Sequence, residues 1–270
     1  MSLPPLSCND NELVVQFKYP NTSSIEEQST DSFLLPPYVE KFEGFGEVVK
    51  VGLEIQNYKE SDSVIIIEYG HSPWNEYATV TSDQIMKLPK FFDPVEASTR
   101  YTNMCNAYRL LSDYGKHEVL IQNAADSKIG KAIIQFAKFK NITTICIINS
   151  GVEEEKSRSE LINLGATHVF TEVEFRTTEI LNLIRHMKAT LALNAVGGDI
   201  TTKICSCLSF GGKLVTYAAY TMEPIIVSPF LLIAMNISLH GFWLPQWVNR
   251  HKYLDKVEML LYINQLDLHG

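Results

Sequence analysis

From Glu118 onward the chain alternates short apolar runs with longer segments whose apolar residues recur every three to four positions. The runs fall at 118–123, 143–149, 168–171, 190–195, 213–218 and 237–243. Parallel strands need long crossover connections, and helix-length pieces fill each gap here, so the pattern predicts a doubly wound parallel sheet. Sheets of that kind bind ligands at the carboxyl ends of their strands. The clearest unit is 117–137, HEVLIQNAADSKIGKAIIQFA, which passes from an apolar strand through a polar turn into an amphipathic helix. Ile129, Ile133, Ile134 and Ala137 form the helical stripe, and Lys131 and Lys138 lie off it. A diphosphate settles against the amides of such a helix start, where the backbone dipole adds partial positive charge. The turn falls short of a full G-x-G-x-x-G, because Ala124, Asp126 and Lys128 stand where glycines would and only Gly130 remains. On this segment alone, an α/β turn that binds nothing is the competing reading.

Before Arg100 the texture changes. Short strand-like runs at 12–18, 46–51, 63–69 and 78–80 sit among turns rich in Pro, Gly, Ser and Asn. They predict a separate β-rich domain over 1–92. The stretch 93–114, opened by Asp93 and Pro94, reads as a helical bridge with Asp93 as its cap. The domain division that follows is 1–92, a bridging segment 93–117, and a dinucleotide-binding domain 118–270. The most apolar segment, 225–237, is interrupted by Ser228, Pro229 and Asn236. It is shorter than the roughly 20 residues a membrane-spanning helix needs, and is read as a buried helix.

Composition narrows the class. The chain has 270 residues, 46% hydrophobic and 20% charged, the balance of a globular protein of two compact domains. A formal charge of −8 with no basic run excludes a nucleic-acid-binding surface. Cys8, Cys105, Cys146, Cys205 and Cys207 form no C-x-x-C pair, which predicts reduced thiols and neither disulfides nor a structural zinc. His71, His117, His168 and His240 are scattered singly, so no metal site is expected. No G-x-S-x-G elbow is present. The opening MSLPPLSCNDNE has neither arginine nor an apolar core, so neither a secretion signal nor a transit peptide is read there.

Five ordered segments carry a resemblance: NMCNAYRLL (103–111), QNAADSKIG (122–130), LALNAVGG (191–198), GGKLVTYAA (211–219) and HGFWLPQW (240–247). Together they resemble the mitochondrial 2-enoyl thioester reductases, the enoyl-CoA and enoyl-ACP reductases of the medium-chain dehydrogenase/reductase superfamily. The resemblance implies a Rossmann sheet beside a smaller GroES-like β-rich domain. It also implies NADPH as cofactor, with NADH not excluded, and reduction of a trans-2-enoyl thioester carried on ACP or CoA. Mitochondrial fatty acid synthesis is the implied setting, and a homodimer joined along the sheet edge near 237–243 the implied assembly. By position, Asn103 matches a cofactor-contacting asparagine. Asp126, Ser127, Lys128 and Ile129 match the phosphate turn, and Asn149, Ser150 and Gly151 the end of the second strand. Tyr217, Ala218, Ala219 and Tyr220 match the loop beside the nicotinamide. Phe242, Trp243 and Leu244 match residues closing over the cofactor, with Trp247 nearby.

The chain departs from that family at three places. The loop that carries the family's proton-donating tyrosine corresponds to NTSSIEEQSTDSF (21–33), and Ser32 stands at the tyrosine position. A serine hydroxyl is shorter and far less acidic than a phenol, and losing a positioned acid costs about 10²- to 10⁴-fold in rate. Tyr19 and Tyr38 flank the loop. Where the family holds the 2′-phosphate with paired arginines, this chain has Asn149, Ser150 and Gly151, followed by Glu153, Glu154 and Glu155. That glutamate run also reads as a solvated first helical turn. Finally, the family's first strands and its last returning strand and helix have no counterpart in these residues, so the β-rich domain is expected to be truncated. A catalytically impaired relative that keeps fold and binding, and a quinone reductase-like oxidoreductase, are the alternative functions.

Overall fold

The structure is a computed structural model and describes residues 7–21, 43–66, 76–82, 84–88, 94–151 and 153–266. Ser32, Tyr38 and His71 lie outside the described residues. Two compact units make up the chain, Met1–Thr102 with Leu244–Tyr262 and Asn103–Trp243 with Ile263–Gly270. The second unit thus begins inside the predicted bridge.

In the first unit, β1 (Glu12–Asn21), β2 (Glu43–Val51), β3 (Ser63–Ile66), β4 (Tyr77–Thr81) and β5 (Ile85–Lys87) form an antiparallel sheet in the order β4-β1-β2-β3-β5. Leu13, Val15 and Phe17 of β1 meet Val48, Val64, Val80 and Ile85 in a single core, and Val14 between them is also buried. β5 escaped the sequence reading because three residues are too few to show a period of two. A buried tyrosine locates it instead, since the Tyr58 hydroxyl donates to the Ile85 carbonyl at 3.0 Å.

Helix α1 (Pro94–Ser112) leads into the second unit. There β6 (Val119–Gln122), α2 (Lys128–Phe139), β7 (Thr143–Ile148), α3 (Glu154–Leu164) and β8 (His168–Thr171) form one half. The other half comprises α4 (Glu172–Phe175), α5 (Thr178–His186), β9 (Leu191–Asn194), α6 (Gly198–Ser206), β10 (Lys213–Thr216), α7 (Pro229–Ile233) and β11 (Ser238–Gly241). The strands pair in parallel in the order β11-β10-β9-β6-β7-β8, the doubly wound Rossmann arrangement. Ile145 and Ile147 of β7 enter the core on one face and Cys146 and Ile148 the core on the other. A strand covered on both faces has no polar side, which is why these strands are continuous apolar runs in the sequence.

The segment 225–237 corrects one expectation. It is not a buried helix: only Pro229–Ile233 is helical, and none of those five residues is buried. Five residues cannot present a complete stripe. Leu231 and Met235 pack against the core while Phe230 and Ile233 are 65% and 84% exposed. Cys105, Cys146, Cys205 and Cys207 are buried and all five thiols are free. Among the described residues no helix is long and apolar enough to cross a membrane. Two last helices, α8 (Leu244–Arg250) and α9 (Tyr253–Gln265), follow the sheet.

Candidate functional site

The chain order reverses between β6 and β9, and a crevice opens at the carboxyl ends of strands at such a reversal. The structure has a groove of about 580 Å³ there, within the range of small-ligand sites. Its head is the turn between β6 and α2. Ala124 adopts a left-handed φ of 47°, the Ser127 amide donates back to the Ala124 carbonyl at 3.0 Å, and the Ala125 amide donates to Ile147 at 3.2 Å. Ser127 then caps α2 by accepting from the Gly130 amide at 3.1 Å. A Cβ at Gly130 would lie 2.6 Å from the carbonyls of both Ala124 and Ala125, so only glycine lets the helix seat this closely on the turn.

A buried polar network backs the groove. Asn123 and Asn194, at the ends of β6 and β9, are both fully buried. The Asn123 amide donates to Asn194 Oδ1 at 2.8 Å, and Asn123 Oδ1 accepts from the Ala195 amide at 2.7 Å. Asn194 Oδ1 also accepts from Thr201 Oγ1 at 2.7 Å and from the amides of Gly197 and Val196, while its own amide donates to Thr216 Oγ1. Three strand ends are thereby tied together. The Tyr217 amide donates to the Asn194 carbonyl and the Tyr220 amide to the Ala195 carbonyl, which lays the loop 217–220 along the end of β9.

The groove's outer rim is acidic. Asp126, Glu172, Asp199 and Glu223 line it, and among its described lining residues Arg176 is the only cation. Arg176 is engaged twice, with Asp199 and with Glu172 at 3.9 Å. Burial lifts the Glu172 carboxyl above the ordinary carboxylate range, Arg176 pulls it back, and the Glu223 carboxylate pushes it up again. Glu223 approaches the glycine pair closely: a Cβ at Gly198 would lie 2.1 Å from Glu223 Oε2, and Gly198 has a φ of 65°.

Of the residues singled out from the sequence, the groove gathers Asp126, Ser127, Asn149 and Tyr220. Lys128 and Ile129 open α2 just behind the turn, and Ser150 and Gly151 are exposed beyond β7. Ala218 and Ala219 lie on the loop between Tyr217 and Tyr220. Asn103 stands on α1, half-buried, and Phe242 continues the β10–β11 pairing by donating to the Thr216 carbonyl at 2.9 Å. Trp243 is half exposed, and Leu244 and Trp247 are buried; none of these lines the groove. Asn194, Glu172, Arg176, Asp199, Thr221 and Glu223 were not singled out, although Glu172 follows directly on a predicted strand.

Tyr217 has a distinct status. Its hydroxyl is buried beside Ser127 without a hydrogen bond of ordinary geometry among the described residues. Burial first, then Tyr220, push its phenol far up, and Ser127 draws it slightly down. A buried hydroxyl with no partner costs free energy, and a ligand oxygen at the phosphate turn would relieve that cost. The orphan hydroxyl, the capped helix start and the groove together fit the diphosphate and ribose of a dinucleotide.

Residues 129–260 match the family model described as zinc-binding dehydrogenase. Among the described residues no three His, Cys, Asp or Glu stand together that could hold a metal ion. The chain is 34% identical over 265 residues to the mitochondrial enoyl-acyl-carrier-protein reductase of Xenopus tropicalis, covering 95% of this chain and 76% of that protein. Against the human protein of the same name the identity is 34% over 238 residues, with 87% of this chain and 64% of that protein covered, so the chain spans less than two thirds of this relative. Solved structures of Etr1p, one with NADP and crotonyl-CoA and one as the Etr1p/Etr2p heterodimer from Candida tropicalis, superpose with TM-scores of 0.84. Each is 26% identical, and 97% of this chain and 81% of theirs are covered. Ordered strand ends, sheet order and these relatives lead to one assignment: the chain belongs to the mitochondrial enoyl-acyl-carrier-protein reductase family of the medium-chain dehydrogenases/reductases.

Proposed function

We propose that the protein catalyses NADPH-dependent reduction of a trans-2-enoyl thioester in mitochondrial fatty acid synthesis. The observation that carries this reading is the groove at the sheet's reversal point, headed by the Ser127-capped start of α2, in a chain whose relatives are enoyl reductases. Bound NADPH supplies the hydride that goes to Cβ, while a proton goes to Cα. The chain's own residues bind and orient. The amides at the start of α2 face the diphosphate with the helix dipole behind them. Tyr217 Oη would donate to a ligand oxygen, and the loop to Tyr220 is the segment assigned to the nicotinamide by the resemblance. Asn103, Phe242, Trp243 and Leu244 are assigned to the cofactor, and Ser32 to the position of the proton donor. The acyl carrier is ACP or CoA, and two copies pair along β11, whose Leu239 is half exposed.

A serine alcohol is a poor proton source, so turnover is expected to be slow, and Ser32→Tyr to raise it by about 10- to 100-fold. The test follows NADPH absorbance with crotonyl-CoA in the intact chain. No absorbance loss at any enzyme concentration, in wild type and Ser32→Tyr alike, rejects the reductase. Dinucleotide binding without turnover would favour the other reading that Ser32 suggests, a relative that binds but does not reduce.

A further inference from the structure

We infer that the groove does not select for the 2′-phosphate, so that NADH serves this chain about as well as NADPH. The inference rests on the dinucleotide reading above and concerns the adenosine end of the same site.

In a doubly wound sheet the adenosine ribose lies against the end of the second strand, where a carboxylate receives a 2′-hydroxyl or an arginine receives a 2′-phosphate. Here the second strand, β7, ends at Ile148 and the first residue beyond it in the groove is Asn149. Its amide can hydrogen-bond a hydroxyl, but it brings no charge. The next strand, β8, ends at Thr171 and is followed at once by Glu172, whose carboxylate faces the same groove. Asp126, Asp199 and Glu223 complete a lining of four carboxylates against one guanidinium.

That guanidinium is already committed, since Arg176 pairs with Asp199 and Glu172. The cations on the neighbouring helix are engaged as well. Lys156 pairs with Glu153 at 3.4 Å, and Arg158 bridges Glu154 at 3.2 Å and Glu174 at 2.9 Å. Lys131 pairs with Glu160 at 2.6 Å. Lys128 is exposed at the head of α2, where it would meet the diphosphate that both cofactors share, so it cannot discriminate between them. Glu172, raised first by burial and lowered by Arg176, is also pushed up by the Glu223 carboxylate. A phosphate dianion placed among these carboxylates meets like charge on several sides and, among the described lining residues, only a guanidinium already shared by two carboxylates. The diphosphate part of the site fits a dinucleotide, and the 2′ end does not fit a phosphate.

The experiment titrates the intact chain with NADPH and NADH, and with 2′,5′-ADP and 5′-AMP, which differ only by the 2′-phosphate, read by calorimetry and tryptophan fluorescence. Because one charge-assisted hydrogen bond corresponds to roughly a tenfold or greater change in affinity, its absence should leave the phosphorylated member of each pair no more than about threefold tighter than the other. Raising salt from about 50 to about 500 mM should favour the phosphorylated member, because screening weakens repulsion. Glu172→Gln combined with Glu223→Gln should strengthen NADPH about three- to tenfold more than NADH, whereas Lys128→Ala should weaken both alike. NADPH or 2′,5′-ADP binding more than about threefold tighter, with salt eroding that preference, overturns the inference while leaving the reductase reading intact. If neither dinucleotide binds, the proposed function fails, and this inference falls with it.

Discussion

The inner wall and the outer rim of the groove use polar side chains to opposite effect. On the inner wall Asn123, Asn194 and Thr201 are fully buried and bonded to one another and to backbone amides at 2.7 to 3.4 Å. On the rim, Arg176 and Asp199 keep 40% and 61% of their side chains exposed, and their pairing is screened by water. A satisfied network in a low-dielectric interior is costly to break, whereas a solvated ion pair contributes little. The wall therefore fixes where the strand ends and loops stand, and the rim sets the charge that an incoming ligand meets.

Replacing Asn194 with Leu gives the largest expected effect. It leaves the amides of Val196 and Gly197 without their acceptor, while the Asn123 amide keeps only Thr201 Oγ1 and the Thr201 hydroxyl only the Gly197 carbonyl. Each buried orphan costs about 1–3 kcal/mol, so a loss of roughly 3 kcal/mol or more is expected, and with it a fall in Tm of about 6–12 °C. A calorimetric shift under about 2 °C would remove the distinction between wall and rim.

Gly130→Ala comes next, because its Cβ would collide with two backbone carbonyls at 2.6 Å. Overpacking costs about 1–3 kcal/mol, and the displaced helix start should weaken dinucleotide binding about tenfold, measured by urea unfolding and cofactor titration. Unchanged binding would mean that the turn and the ligand are independent. Ser127→Ala removes a helix cap and should cost about 1 kcal/mol, read from the same unfolding curves.

The smallest effect belongs to the rim and carries a definite sign with pH. Burial raises the Glu172 carboxyl, so the folded chain holds that proton more tightly than the unfolded one. Stability from this group is gained as pH falls through the raised folded value toward the unfolded value near about 4.3, and ionised Glu172 is a cost at neutral pH. Glu172→Gln should therefore stabilise by a few tenths of a kcal/mol at pH 7, a gain that vanishes near pH 4. Destabilisation at pH 7 would show that the Glu172–Arg176 pairing outweighs burial.

Much of the second unit was legible because strands buried on both faces leave an unmistakable apolar run. The predicted 143–149 became Thr143–Ile148, and 168–171 became His168–Thr171. The reading failed where apolarity did not mean burial, since 225–237 is rich in large apolar residues that the chain leaves exposed around a five-residue helix. Within the site, Asp126, Ser127 and Asn149 were legible through the resemblance, which places the phosphate turn after the first strand of the sheet and Asn149 at the end of the second. Glu172 also follows a predicted strand but lies in none of the segments that carry the resemblance, and nothing local marks Asp199 or Glu223 as its neighbours.

The order of amino acids alone dictates the alternation of strand and helix, the cap at Ser127, the tight seat at Gly130 and the absence of a basic cluster after the second strand. These are local properties, set within a few residues by sterics, hydrogen bonding and charge. The tertiary structure alone decides that β6 lies beside β9, that Asn123 meets Asn194, and that carboxylates from four separate segments share one groove with a single committed arginine. Such encounters follow from sheet order, which joins strand ends far apart in the chain, and it is the summed field of those ends that a ligand experiences.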